Sequence, residues 1–192
     1  QQTEYPWDGK VRLTVDPAQA TDFSLKLRIP GWAIGRPVPS DLYRHSDAKT
    51  SPVVLTVNGE KTDAAPSADG YVHLQRTWKA GDVVELDLPM PIRRILANEK
   101  VEADRGKVTL MRGPMVYCLE AADQPDVNLT RLILPRAAEM TAKHRSDLLG
   151  GVTVLEGEAL ADGKNPVKVT AIPYYAWQNR SKGAMTVWIA EK

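Results

Sequence analysis

Near the end of the chain, chemistry-bearing side chains crowd into one short stretch, Tyr174-Tyr175-Ala176-Trp177-Gln178-Asn179-Arg180. Aromatic rings offer flat apolar faces to sugar C–H groups, and Asn, Gln and Arg can hydrogen-bond to sugar hydroxyls. Strand alternation would send Tyr174 and Ala176 to one side and Tyr175 and Trp177 to the other. The four side chains then cannot share one platform, and some must be core. Nucleophilic and metal chemistry is harder to assemble. Cys118 is the only cysteine, and in the apolar run Met115-Val116-Tyr117-Cys118-Leu119 it reads as a small buried hydrophobe rather than a reactive thiol. A zinc centre needs several N or S donors converging on one tetrahedral ion. One thiolate with His45, His73 and His144 drawn from distant stretches does not supply them, so no metal ligand and no catalytic residue is assigned.

The elements that must position these residues read as β-strands. In Phe23-Ser24-Leu25-Lys26-Leu27-Arg28-Ile29 the apolar set faces one way and the polar set the other, the pattern of a half-buried strand. The rhythm recurs at Val11 to Val15, Val84 to Leu88, Val108 to Leu110 and Met185 to Ile189. Asp8-Gly9 and Asp16-Pro17 bound the first strand, which we expect beside the strand opened by Phe23. Ile29-Pro30-Gly31-Trp32 breaks the alternation and lets Trp32 fold over the end of the core. Ala33 to Pro52 exceeds a routine connection, with one helical turn expected at Ser40 to Arg44. Asn58-Gly59 signals a hairpin, and Tyr71 to Leu74 and Val83 to Leu88 continue a meander. Pro89-Met90-Pro91 marks an edge or a crossing between sheets. Further strands are expected at Leu129 to Leu134, Val152 to Leu155 and Val167 to Ile172; Ala137 to Leu149 fits both periods and is read as a strand.

With 192 residues, the chain has room for two sandwich domains. The polar break at Ala121 to Asp126 places them at 1–120 and 121–192, an all-β pair of antiparallel, jelly-roll-like sandwiches. Phe23, Leu25, Leu27, Ile29, Val72, Leu74, Leu86, Leu88, Val108 and Leu110 should form the core. The 25 basic and 24 acidic residues nearly cancel, which disfavours a nucleic-acid partner. Apolar stretches fall short of the roughly 18 residues of a membrane span, and Gln1 to Trp7 has no signal-peptide pattern. Localisation is not legible; the start in mid-stride suggests a C-terminal piece of a longer protein, for which periplasm and cytoplasm both stay open.

Three stretches carry a signature together: Ile29-Pro30-Gly31-Trp32 with Asn58-Gly59 and Gly70-Tyr71; Asp104 through Glu120, containing Leu110-Met111-Arg112-Gly113-Pro114-Met115-Val116-Tyr117; and Ile172 through Arg180. With Leu148-Leu149-Gly150-Gly151-Val152, they resemble in order and spacing the C-terminal part of the β-L-arabinofuranosidase family, glycoside hydrolase family 127. The resemblance implies a larger enzyme acting on plant-type glycans. Its helical catalytic domain would precede this chain and hold zinc through cysteines and a glutamate, with two β-sandwiches bracing it. No family catalytic residue maps onto this chain. Glycoside cleavage by a carboxylate pair about 5 to 9 Å apart remains open in principle to Asp82, Glu85, Asp87, Glu102 and Asp104, but acidic residues on sheet surfaces are common. The expected role is accessory, with Trp7, Trp32, Tyr43, Tyr175, Trp177, Asn179 and Arg180 as candidate contacts to an oligosaccharide or to the missing domain. A carbohydrate-binding module and a structural or protein-binding sandwich are the alternatives. Arg93, Arg94, Asp104 and Arg105 read as paired surface or inter-domain charges.

Overall fold

The computed structural model describes residues 1–49 and 51–192. These fall into two compact units, Gln1–Pro39 with Ala48–Pro91, and Ser40–Asp47 with Ile92–Lys192. The division therefore falls at Pro91 and not near residue 120. Ile92–Ala97 pairs with Lys107–Arg112, which forms a hairpin with Met115–Glu120, which in turn pairs with Asn165–Pro173. Those ladders bind 92–120 to the second unit. The break sits where Pro89 and Pro91 cannot donate to a ladder, while the polar stretch after Glu120 is a surface turn.

Unit 1 is a sandwich. Among the described residues, one sheet has five strands in the order Gln2–Thr3, Lys10–Val15, Asp82–Asp87, Val54–Val57 and Glu60–Thr62. The other is the antiparallel pair Thr21–Arg28 and Tyr71–Trp78. Lys10–Val15 lies beside Asp82–Asp87, not beside the strand containing Phe23 as expected; the 16–20 link carries the chain to the opposite sheet, where Thr21–Arg28 pairs with Tyr71–Trp78. Leu27, Ile29, Val72 and Trp78 meet Leu55, Val57, Val84, Leu86 and Leu88 in the core, as period-two patterning requires. Phe23, Leu25 and Leu74 are half-buried at its margin. Trp78 is fully buried, and its indole N–H donates to the Phe23 carbonyl at 3.0 Å.

Unit 2 contains a closed ring of six strands among the described residues: Lys107–Arg112, Met115–Glu120, Asn165–Pro173, Val152–Ala161, Ile133–Leu134 and Ile189–Glu191. Closure removes sheet edges and encloses a core that includes Val108, Leu110, Tyr117, Leu119, Leu134, Leu155 and Ile189. Ile92–Ala97 and Tyr43–His45 extend it from Lys107–Arg112, so Ser40 to Arg44 holds a strand and not a helical turn. Met140–Arg145 is a strand paired with Val152–Ala161. The 129–134 stretch begins instead with a 3-10 turn, Leu129–Arg131, capped by the Asn128 side chain, and 185–191 divides into two short strands around Val187 and Trp188.

Gly9 is a sharp test of the unit 1 packing. A methyl group there would lie 1.8 Å from the Leu88 carbonyl oxygen, and Leu88 N–H donates to the Gly9 carbonyl at 3.1 Å, so main chain has to move. Gly9→Ala should lower stability by about 2 to 3 kcal/mol in chemical denaturation, whereas alanine at the exposed turn Gly59, with nothing within 4 Å, should cost about 1 kcal/mol from its positive φ.

Candidate functional site: a stapled aromatic loop

Asn165–Pro173 runs antiparallel to Met115–Glu120, with Tyr117 opposite Pro173 and Cys118 opposite Ile172. The strand stops at Pro173, and Tyr174–Ala176 form a 3-10 turn closed by Trp177 N–H donating to the Tyr174 carbonyl at 3.1 Å. The alternation expected for 174–177 is therefore absent. Ala176 is buried and Trp177 half-buried, while consecutive Tyr174 and Tyr175 are 46% and 64% exposed. Gln178 follows with φ +63°, a left-handed conformation costing roughly 1–2 kcal/mol in a non-glycine residue.

Glu120 holds that conformation in place. Its carboxylate is 2% exposed; Oε1 accepts the Gln178 N–H at 2.7 Å, and Oε2 accepts Arg180 Nη2 at 2.5 Å. Arg180 also forks onto Asp123, Nη1 to Oδ1 at 2.7 Å and Nη2 to Oδ2 at 2.5 Å. Hydrogen bonds to Asp123, then to Glu120, push the Arg180 guanidinium still further up, so its charge is fixed. Buried Gln124 extends the network, donating to the Glu120 carbonyl at 2.9 Å and accepting from Thr170 N–H at 2.8 Å. Asn179 Nδ2 donates to the Ala176 and Trp177 carbonyls at 3.1 and 3.3 Å, leaving its Oδ1 as an acceptor. Below the loop, the Tyr117 hydroxyl is buried without a hydrogen-bond partner. Burial pushes its phenol up to about 12, with Tyr175 adding a smaller upward push. An unsatisfied buried hydroxyl costs roughly 1–3 kcal/mol.

The remaining candidates are dispersed. Trp7 is half-buried in unit 1. Trp32, in the 3-10 turn Gly31–Ile34, packs against the unit 1 core. Tyr43 stands in unit 2, its ring 5.6 Å from Trp188. Of the predicted set, the structure brings together Tyr175, Trp177, Asn179 and Arg180, with Arg180 bound inward. Sequence reading missed Glu120, Asp123 and Gln124. Their only signal is a buried position for Glu at the end of the apolar Met115 to Leu119 run.

Three acids of the other candidate set, Asp82, Glu85 and Glu102, have structural partners. Asp82 accepts from Lys79 N–H and Asn58 Nδ2 at a turn, which lowers its pKa. Glu85 pairs with Arg12 at 2.6 Å in a groove of about 610 Å³ that Asp87 also lines, and Glu102 pairs with Arg105 at 3.3 Å. Arg93 pairs with Asp47 at 2.9 Å, and Arg94 bonds Glu191 and the Pro135 and Ala138 carbonyls. The zinc of the resembled family does not fit the donors here. His73 bonds Asp69 on the surface, His45 holds both ring nitrogens without partners in a separate strand, and Cys118 is buried. No group of three or more metal-binding side chains forms among the described residues. Burial, then the charges of Glu120 and Asp123, push the Cys118 thiol up to about 12.

The chain is thus an all-β protein of two units, a sandwich and a closed six-stranded barrel with added strands. Residues 1–90 match the family described as Beta-L-arabinofuranosidase, GH127 middle domain, and 92–190 match Glycoside hydrolase family 127 C-terminal domain. The seam between the two matches coincides with the division at Pro91. The chain belongs to glycoside hydrolase family 127. It is 35% identical to the Non-reducing end beta-L-arabinofuranosidase of Bifidobacterium longum subsp. longum, across 98% of this chain and 29% of that protein. A solved GH127 beta-arabinofuranosidase superposes with TM-score 0.91 at 39% identity, covering 100% of this chain and 31% of that one. A GH127 beta-L-arabinofuranosidase from Geobacillus stearothermophilus T6 gives 0.83 at 44%, covering 100% and 30%. The chain thus spans about three-tenths of the relatives it matches.

Two outcomes test this geometry. Glu120→Gln leaves Arg180 without one buried counter-charge, so it should cost about 3 kcal/mol in denaturation and speed proteolytic cleavage within 174–182. Cys118, buried and with its thiol pushed up, should be alkylated at least about a hundredfold more slowly in the native chain than in urea; equal rates would contradict its burial.

Proposed function

We propose that this chain is the non-catalytic C-terminal β region of a β-L-arabinofuranosidase-like glycoside hydrolase acting on plant-type glycans, bracing a helical domain that carries the reaction centre and its zinc. The observation that carries the reading is the superposition of the whole chain on less than a third of a β-arabinofuranosidase. Trp7, Trp32 and Tyr43 are the proposed docking contacts for the rest of the protein, since half-buried aromatics release apolar area to a neighbouring domain. A second reading, sugar binding by this chain itself, is favoured by the adjacent exposed rings of Tyr174 and Tyr175.

Aryl β-L-arabinofuranosides offered to the full-length protein and to the 192-residue chain, with metal content measured in parallel, decide the matter. We expect turnover and bound zinc in the full-length protein and neither in the chain alone. Turnover by the isolated chain that is abolished on replacing Cys118 or a surface carboxylate would overturn the accessory assignment.

A further inference from the structure

The loop from Tyr174 to Arg180 combines features that structural packing alone does not call for. Two consecutive aromatic rings stand in solvent, while the residues after them are fixed by a carboxylate that is almost wholly buried. Preorganisation of this kind reduces the entropy lost when a ligand is bound. The outward groups are suited to a neutral, hydroxyl-rich molecule: two phenols, the Gln178 amide and the Asn179 Oδ1. The guanidinium of Arg180 faces inward and is paired with Glu120 and Asp123, so it is not the group that would meet a ligand. The exposed apolar area amounts to two tyrosine rings among polar neighbours, Ser181 and Lys182 included. That is far below the roughly 800 Å² per partner that a specific protein interface buries, and it matches one or two sugar rings.

We propose that this loop is a saccharide-contacting subsite for a pentose-containing neutral oligosaccharide. The Tyr175 ring stacks on a sugar face, Gln178 and Asn179 hydrogen-bond its hydroxyls, and Arg180 and Glu120 are positioning residues that touch no sugar. The subsite rests on the reading of the longer protein as a glycan-processing enzyme and deepens it. The role proposed for it is to bind glycan, with no part in bond cleavage.

The test uses the full-length protein and an arabinofuranose-containing oligosaccharide, with binding followed by calorimetry and turnover measured separately. Tyr175→Ala should weaken oligosaccharide binding roughly tenfold, the loss of one anchoring aromatic, and raise KM without a matching fall in kcat. Tyr175→Phe, which keeps the ring face, should restore most of the affinity. Arg180→Lys, which cannot fork onto both carboxylates, should weaken binding and also accelerate proteolysis of the loop, the mark of a positioning residue. Unchanged binding in Tyr175→Ala would overturn the subsite. So would a joint loss of melting temperature and kcat in that variant, which would make the loop a docking element for another domain. Tyr175-dependent binding in a full-length protein that cleaves no arabinofuranoside would support the subsite while refuting the proposed enzyme activity.

Discussion

A carboxylate shut away from water at the end of a strand is the constraint on which the second unit's functional surface depends. Glu120 follows the five apolar residues Met115 to Leu119 into the interior, and an isolated buried charge there would be untenable. Its two oxygens and its carbonyl are each engaged: by the Gln178 main chain, by Arg180 and by Gln124. Those partners come from a loop 58 to 60 residues further on and from the turn immediately after the strand. The charge thereby selects one geometry for both segments, because any other leaves it unsatisfied. Net stabilisation from such a group is small or negative relative to an apolar side chain; specificity of loop conformation is what it contributes here.

The same network explains how a non-glycine residue at positive φ persists at Gln178. Cost at that residue is offset by a charge-assisted hydrogen bond to its N–H. Positive φ reverses the chain after Trp177, so Arg180 returns to the carboxylates while Tyr174 and Tyr175 remain outside. Exposed aromatics, a half-buried tryptophan and an inward-facing arginine are thus consequences of one arrangement.

How much of this was legible in the sequence depended on whether the signal was periodic. Phe23 to Ile29 and Val84 to Leu88 announced their faces through period two, and the structure buries Leu27, Ile29, Leu86 and Leu88 accordingly. Strand pairing was a different matter. Val11 to Val15 and Phe23 to Ile29 are neighbours in sequence yet join opposite sheets, because alternation records which face is buried and not which strand lies alongside. The domain break was signalled by Pro89-Met90-Pro91, but the polar run after Glu120 carried a stronger composition shift. Composition there reflected a solvent-exposed turn, while the missing ladder donors at the prolines reflected the limit of the sheets. The loop itself was recognised by residue type, and its geometry was not: a strand pattern cannot foresee a 3-10 turn whose stability comes from residues more than fifty positions earlier.

Arg180 shows why side-chain chemistry has to be counted atom by atom before it is assigned to a ligand. In sequence it stands beside Asn179 and Trp177 as an obvious hydrogen-bond donor for hydroxyls. In the structure, both terminal nitrogens are already committed to Glu120 and Asp123, and diverting them would leave a buried carboxylate unpaired, a penalty larger than one hydroxyl contact returns. Trp177 is similarly withdrawn by its partial burial. What remains outward is smaller than the sequence implied: two phenols and two amide side chains on a loop that cannot readily rearrange. Such a surface recognises by shape and pre-set hydrogen bonds, with charge confined to the scaffold beneath it.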